Sequence, residues 1–91
     1  MVRDLAEKRA IIRSVMGRVL GVDAAQIDDA AVLGRDIPAD SLMVLEVALS
    51  LEKRFNIVIP ESDYSKLVSV EQICQRINEL EEEHSASPPS F

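Results

Sequence analysis

Asp40-Ser41-Leu42 stands where a loop studded with aspartate gives way to a strongly apolar stretch of helical character. A serine in that place has two kinds of chemistry open to it. As a nucleophile it needs a base within hydrogen-bond reach. The one histidine of the chain, His84, lies far away near the C-terminus, so an activated serine is not indicated. A hydroxyl just inside a helix N-terminus is, by contrast, well placed to carry a phosphate. Unpaired backbone N–H groups and the positive end of the helix dipole stabilise an anion there. The pattern points to a group attached to Ser41, and not to a substrate that Ser41 attacks. A serine at a helix start also commonly acts as the N-cap. Asp40 can take that duty, so capping and attachment are compatible.

The other reactive side chains offer less. Cys74 is the sole cysteine, which excludes an internal disulfide and any cysteine-based metal cluster. It reads as a small buried apolar residue of the last helix. His84 has no companion ligands at metal-binding spacing, and Asp28, Asp29 and Asp36 lack the spacing of an EF-hand loop. Glu81-Glu82-Glu83 reads as a solvated helix end, where acids oppose the dipole and promote fraying.

The elements that position Ser41 follow from composition and periodicity. The chain has 91 residues, 47% of them hydrophobic, but its aromatics are only Phe55, Tyr64 and Phe91. The core must come from Leu, Ile, Val and Ala, which suits a helical bundle better than a sheet. Leu5, Ile12, Val15, Met16 and Val19 predict a first helix over about Asp4–Leu20, stopped by Gly21. Gly17 inside it costs ~1 kcal/mol relative to Ala. Residues 21–39 form a long loop. Its Val22, Ile27, Val32, Leu33 and Ile37 should lie against the bundle, and Asp28 and Asp29 could start a short helical turn. Pro38 disfavours helix at Ile37 and so helps to fix where the next helix begins.

The second helix, about Ser41–Phe55, is apolar almost all round, so it is either central or shows a second face to a partner. Asn56 suits a left-handed stop, and Ile57-Val58-Ile59-Pro60 reads as an extended connector. Glu61–Leu67 suits a short helix. A last helix is predicted over about Val70–Glu82, with Ser69 and Gln72 as a capping box. After Glu83 the composition turns to that of a disordered tail. One domain over 1–83, with a tail over 84–91, is expected.

No apolar run approaches the ~20 residues needed to span a bilayer. The start, Met-Val-Arg-Asp-Leu-Ala-Glu-Lys-Arg, is too charged for a signal peptide, so a cytoplasmic protein is expected. The net charge of −6 is uneven: residues 1–20 carry a local +3, and every later segment is negative. An acidic chain without a basic stripe is a poor nucleic-acid binder, but it can dock on basic protein surfaces.

Leu20-Gly21-Val22, Ala39-Asp40-Ser41-Leu42, Glu46, Leu51-Glu52, Phe55, Ile59-Pro60 and Val70 are spaced, without a gap, as in the acyl carrier proteins. With three main helices and a short fourth, the chain closely resembles that family. The resemblance implies an all-α four-helix bundle and a monomer. It implies that Ser41 carries 4′-phosphopantetheine, installed from coenzyme A by a magnesium-dependent phosphopantetheinyl transferase. Asp40 and Leu42 would belong to the motif that the transferase reads. The arm's thiol would hold acyl groups as thioesters, received from a loading ligase or synthase and passed to acyl-transfer enzymes. Leu45, Ile59, Leu67 and Ile73 would line the shelter for the acyl chain. Such a protein needs no acid, base or metal of its own, because the cofactor supplies the reactive sulfur. It is a substrate of enzymes and not an enzyme.

The chain also departs from the pattern. Met43 stands where an acid is usual in carriers of general fatty acid synthesis, Lys53-Arg54 replaces an acidic run, Asn56 replaces an acid, and Pro38 replaces glycine. Met43, Glu46, Val47, Glu52 and Lys53 are the expected docking residues, although Met43 and Val47 become core if the helix is turned. Each exposed ion pair contributes only ~0.2–1 kcal/mol, and fewer acids remain to form them. The departures suggest a specialised acyl pathway, of the fatty acid, polyketide or another kind. An aminoacyl or peptidyl carrier is an alternative, although peptidyl carriers usually have histidine where this chain has Asp40. An unmodified helical interaction module is another. Replacing Ser41 by Ala separates it from a carrier.

Overall fold

The computed structural model describes residues 5–86, with side chains described through Glu83. Three α-helices, α1 (Leu5–Leu20), α2 (Ser41–Phe55) and α3 (Val70–Ala86), carry the architecture. A 3₁₀ turn (Ala24–Gln26) follows α1, and a 3₁₀ helix (Glu61–Lys66) bridges α2 and α3. Among the described residues there is no β-strand, only an isolated bridge between Leu33 and Ile37. The expected all-α bundle, with three main helices, a short one and a long first loop, is the observed fold.

One core joins the helices. Ile12, Val15 and Met16 of α1 meet Val47, Ala48, Leu51 and Phe55 of α2, and Val70, Ile73, Cys74, Ile77 and Leu80 of α3. Fully burying one such aliphatic side chain contributes about 1.5–3 kcal/mol. The connector after α2 is extended, so its side chains alternate: Ile57 and Ile59 point into the core and Val58 points out. Asn56 ends α2 in the left-handed conformation at φ 55°. Ser69 caps α3 as expected, its Oγ accepting the Gln72 N–H at 3.3 Å.

Gly17 has a packing reason that composition did not suggest. A Cβ at this position would lie 2.7 Å from the Val22 carbonyl oxygen, so glycine lets the loop fold back on α1. Gly21 adopts φ +74° and turns the chain out of the helix.

Several expectations need correction. A 3₁₀ turn at Ala24–Gln26, capped by Asp23, comes earlier in the loop than expected, and Asp28 starts only a single hydrogen-bonded turn, its carbonyl accepting the Ala31 N–H at 3.0 Å. Asp23 accepts the Ala25 N–H and thus holds the turn earlier in the loop. Val22 and Leu5 are exposed: Val22 follows the sharp turn at Gly21, and Leu5 lies in the first turn of α1, beyond the core. The last helix runs through Ala86, past the expected end at Glu82 and into the expected tail. Arg76 pairs along its surface with Glu79 and Glu83, and Glu81 pairs with Lys8, so the acidic run is helix body and not a frayed end. Residues 87–91 of the expected tail, and Asp4 of the expected first helix, lie outside the described residues. No helix of the described residues is long and apolar enough to cross a membrane.

Candidate functional site

Asp40 stands in extended conformation (φ −106°, ψ 177°) and its carboxylate accepts the Met43 N–H at 2.9 Å. Its own carbonyl accepts the Val44 N–H at 3.1 Å and starts the helix. Asp40, and not Ser41, is therefore the N-cap. Ser41 is the first helical residue and is exposed. Helix geometry leaves the N–H groups of the first turn without intrahelical partners, and they face whatever is attached at this end. The first turn of α2 contains no acidic side chain, so the positive end of the dipole is weakened only by the Asp40 cap. An exposed hydroxyl, free of capping duty at the positive end of a 15-residue helix, fits a phosphodiester.

The loop delivers Asp40 to this position through a closed turn. Gly34 N–H reaches the Ile37 carbonyl at 2.7 Å, and Asp36 N–H reaches that of Val32 at 2.8 Å. The Asp36 carboxylate accepts from Val32 N–H at 2.9 Å and from Arg35 at 3.1 Å. Arg35, followed by that backbone N–H, holds the Asp36 carboxyl below the usual carboxylate range. The turn is anchored on the base of α3: Leu33 N–H donates to the Val68 carbonyl at 2.8 Å, and Glu71 N–H donates to that of Asp29 at 3.1 Å.

The face of α2 turned to solvent is only partly the one expected. At 100° per residue, Leu42, Glu46, Leu49 and Lys53 fall on one stripe opposite the core, and all four are exposed. Leu42 is 62% and Leu49 46% exposed. Val47, an expected docking residue, is 0% exposed. It shares the core face with Ala48, Leu51 and Phe55 and offers a partner no surface. Glu52 is half-buried, and its Oε2 accepts the Ile59 N–H at 2.6 Å, so it braces the connector. Met43 is half-buried on the flank, while Glu46 and Lys53 are exposed as expected. Leu49, seven residues after Leu42, lies on the same exposed face. Val58, between the buried Ile57 and Ile59, is 65% exposed.

Of the expected shelter, Ile59, Leu67 and Ile73 are buried in the core, and Leu45 is half-buried on α2. Between α1 and α3 a groove of about 550 Å³ is lined by Leu5, Arg9, Cys74 and Glu82, among others, and none of the four shelter residues lines it. Burial pushes the Cys74 thiol up, against the opposing pull of Arg9 and Lys8. Among the described residues, no three His, Cys, Asp or Glu side chains are grouped to hold a metal ion. Asp29 pairs with Arg13 and, at 3.9 Å, with Arg9, and Asp28 accepts the Ala30 N–H.

Residues 10–77 match the family model described as the phosphopantetheine attachment site. Curated relatives agree. An acyl carrier protein of Helicobacter pylori strain J99 is 40% identical over 68 residues, covering 75% of this chain and 87% of the relative. Another, from Helicobacter acinonychis strain Sheeba, is 38% identical with the same coverage. That of Campylobacter jejuni subsp. doylei is 33% identical over 69 residues, covering 76% of this chain and 90% of its own.

Proposed function

The chain belongs to the acyl carrier protein family, whose cofactor is covalent 4′-phosphopantetheine, and on that premise we propose that Ser41 is its attachment residue. The observation that carries this reading is the division of labour at the start of α2. Asp40 caps the helix, and the Ser41 hydroxyl stays exposed beside the unsatisfied N–H groups. When bound, the group supplies a thiol that holds acyl cargo as a thioester. The chain's own work is to hold the phosphodiester at the positive helix end and to present a docking surface. Asp40 and Leu42 flank the serine as the transferase's recognition residues.

The chain acts as a monomeric substrate of other enzymes: the phosphopantetheinyl transferase, a loading ligase or synthase, and acyl-transfer enzymes. They dock on the stripe Leu42, Glu46, Leu49 and Lys53, with Met43 at its edge. One acid and one base leave that stripe nearly neutral, so partners that meet it present an apolar recess with few basic contacts. This favours enzymes of a specialised acyl pathway. The acyl chain is sheltered by displacement of Leu45, Ile59, Leu67 and Ile73, from the interior between α2, the 3₁₀ helix and α3.

The test is an intact-mass comparison after incubation with coenzyme A, magnesium and a broad-specificity phosphopantetheinyl transferase. Wild type should gain the mass of one phosphopantetheine, and Ser41→Ala should gain none. Folded, unmodified wild type that gains nothing would sink the reading and leave a helical interaction module.

A further inference from the structure

Asp63 is a carboxylate on the short 3₁₀ helix, only 4% exposed. A buried charge is costly unless it is paired and hydrogen-bonded. Its partner is Arg76 of α3, thirteen residues on. The Nε and Nη2 edge of the guanidinium closes on Oδ2 at 2.8 and 2.7 Å. Lys66 stands 3.6 Å from the other oxygen. Arg76 is itself held from behind by Glu79 at 3.0 Å and Glu83 at 3.6 Å, so its head is fixed on the α3 side.

The segment that this pair fastens has few polar ties to the helices besides this one. The 3₁₀ helix is six residues long, and Pro60 gives it no side-chain cap. Such segments have poorer hydrogen-bond geometry than α-helix. It is held by apolar plugs at its two ends, Ile59 and Leu67, both buried, and by Tyr64 between them, half-buried against the core. A second carboxylate, Glu52 of α2, grips the Ile59 N–H. Residues 57–67 are thus a strap over the apolar interior, tied by Glu52 to α2 and by Asp63 to α3.

We propose that Asp63 and Arg76 form the latch of this strap and set how readily an acyl chain enters and leaves the interior. The proposal rests on the reading that the interior shelters the chain. Opening the strap needs only the 3₁₀ helix to lift; α1, α2 and α3 keep their mutual packing. The latch then determines which thioesters are protected. A short acyl group gains nothing from a closed strap, whereas a chain long enough to reach the interior does.

The first test uses the unmodified protein, so it does not depend on whether Ser41 is a modification site. Amide hydrogen exchange is followed by NMR at Asp63 and Leu67, whose N–H groups close the 3₁₀ helix onto Pro60 and Tyr64. Arg76→Gln should speed exchange at these amides by about ten- to a hundredfold, the loss expected for a charged hydrogen bond, with amides of α1 and α2 unchanged. Arg76→Lys keeps the charge without the fork and should fall between. The pair Asp63→Asn with Arg76→Gln removes the stranded charge, so it should stay folded with an open strap. Exchange that rises equally in α1 and α2, or does not rise at all, overturns the latch. The second test loads acetyl- or octanoyl-phosphopantetheine from the corresponding coenzyme A thioesters. Hydroxylamine should cleave the octanoyl thioester faster in Arg76→Gln than in wild type, with acetyl unaffected. An effect independent of chain length would overturn the role in acyl entry.

Discussion

The carboxylate of Asp40 accepts the N–H of Met43, three residues into α2, and so relieves the neighbouring serine of any part in the cap. Asp40→Ala should destabilise the fold by about 0.5–2 kcal/mol, as loss of an N-cap does. Asp40→Asn keeps a capping oxygen and should retain most of that stability. Urea unfolding checks both. If the transferase reads the charge, Asp40→Asn will still be modified more slowly than wild type. A modification rate that follows stability alone would assign Asp40 to the fold and not to recognition.

Val47 and Leu49 stand two residues apart and face opposite ways. Val47→Ala removes buried methyl groups and should cost about 2–3 kcal/mol in urea unfolding. Leu49→Ser should leave stability within about 0.5 kcal/mol, the usual range for surface changes. Its effect should emerge in kcat/KM for an enzyme that docks on α2, lowered about tenfold if Leu49 is an anchor. Equal rates for wild type and Leu49→Ser would remove Leu49 from the docking surface.

Cys74 gives the modification a chemical readout. Its thiol is buried and held above its ordinary value, so at pH 8 little thiolate is present and reaction with a disulfide reagent should be slow. The sign is that of a proton bound more tightly in the folded state: reactivity should keep rising with pH past the point where an ordinary thiol is fully ionised, and should jump at once on unfolding. The terminal thiol of an installed arm has no such shielding. Modified protein should therefore show one fast-reacting equivalent that unmodified protein lacks.

Gly17→Ala sets propensity against packing. In an exposed helix the change would help by about 1 kcal/mol. Here the added methyl meets the Val22 carbonyl oxygen, which cannot retreat without moving the turn at Gly21. The variant should lose about 1–3 kcal/mol. A variant as stable as wild type would mean that the loop gives way freely.

The helices and the exposed serine at the start of α2 were legible in the residues because each is written locally. The apolar spacing of α1, the Asp-Ser start of α2, Asn56 at its end and Ser69 before α3 need only nearby sequence. What was not legible depends on rotation and on distant partners. The Ser41–Phe55 stretch is apolar on nearly every side, so its pattern could not say that Val47 turns inward and Leu49 outward. Glu52 looked like a docking acid because its partner, the Ile59 N–H, is a backbone group that no side-chain pattern reveals. The pairing of Asp63 with Arg76 joins segments whose approach is set by the whole bundle.

Lys8 is buried near the start of α1 and bonds Asn78 and Glu81 in the second half of α3, 70 and 73 positions away. The start of α1 is thereby buckled to the second half of α3. Chain continuing beyond either helix sets out from the same pole of the molecule. A short peptide joining the two would turn the backbone into a ring, and new ends opened in the exposed part of the loop before α2 would give a rearranged chain with the same core.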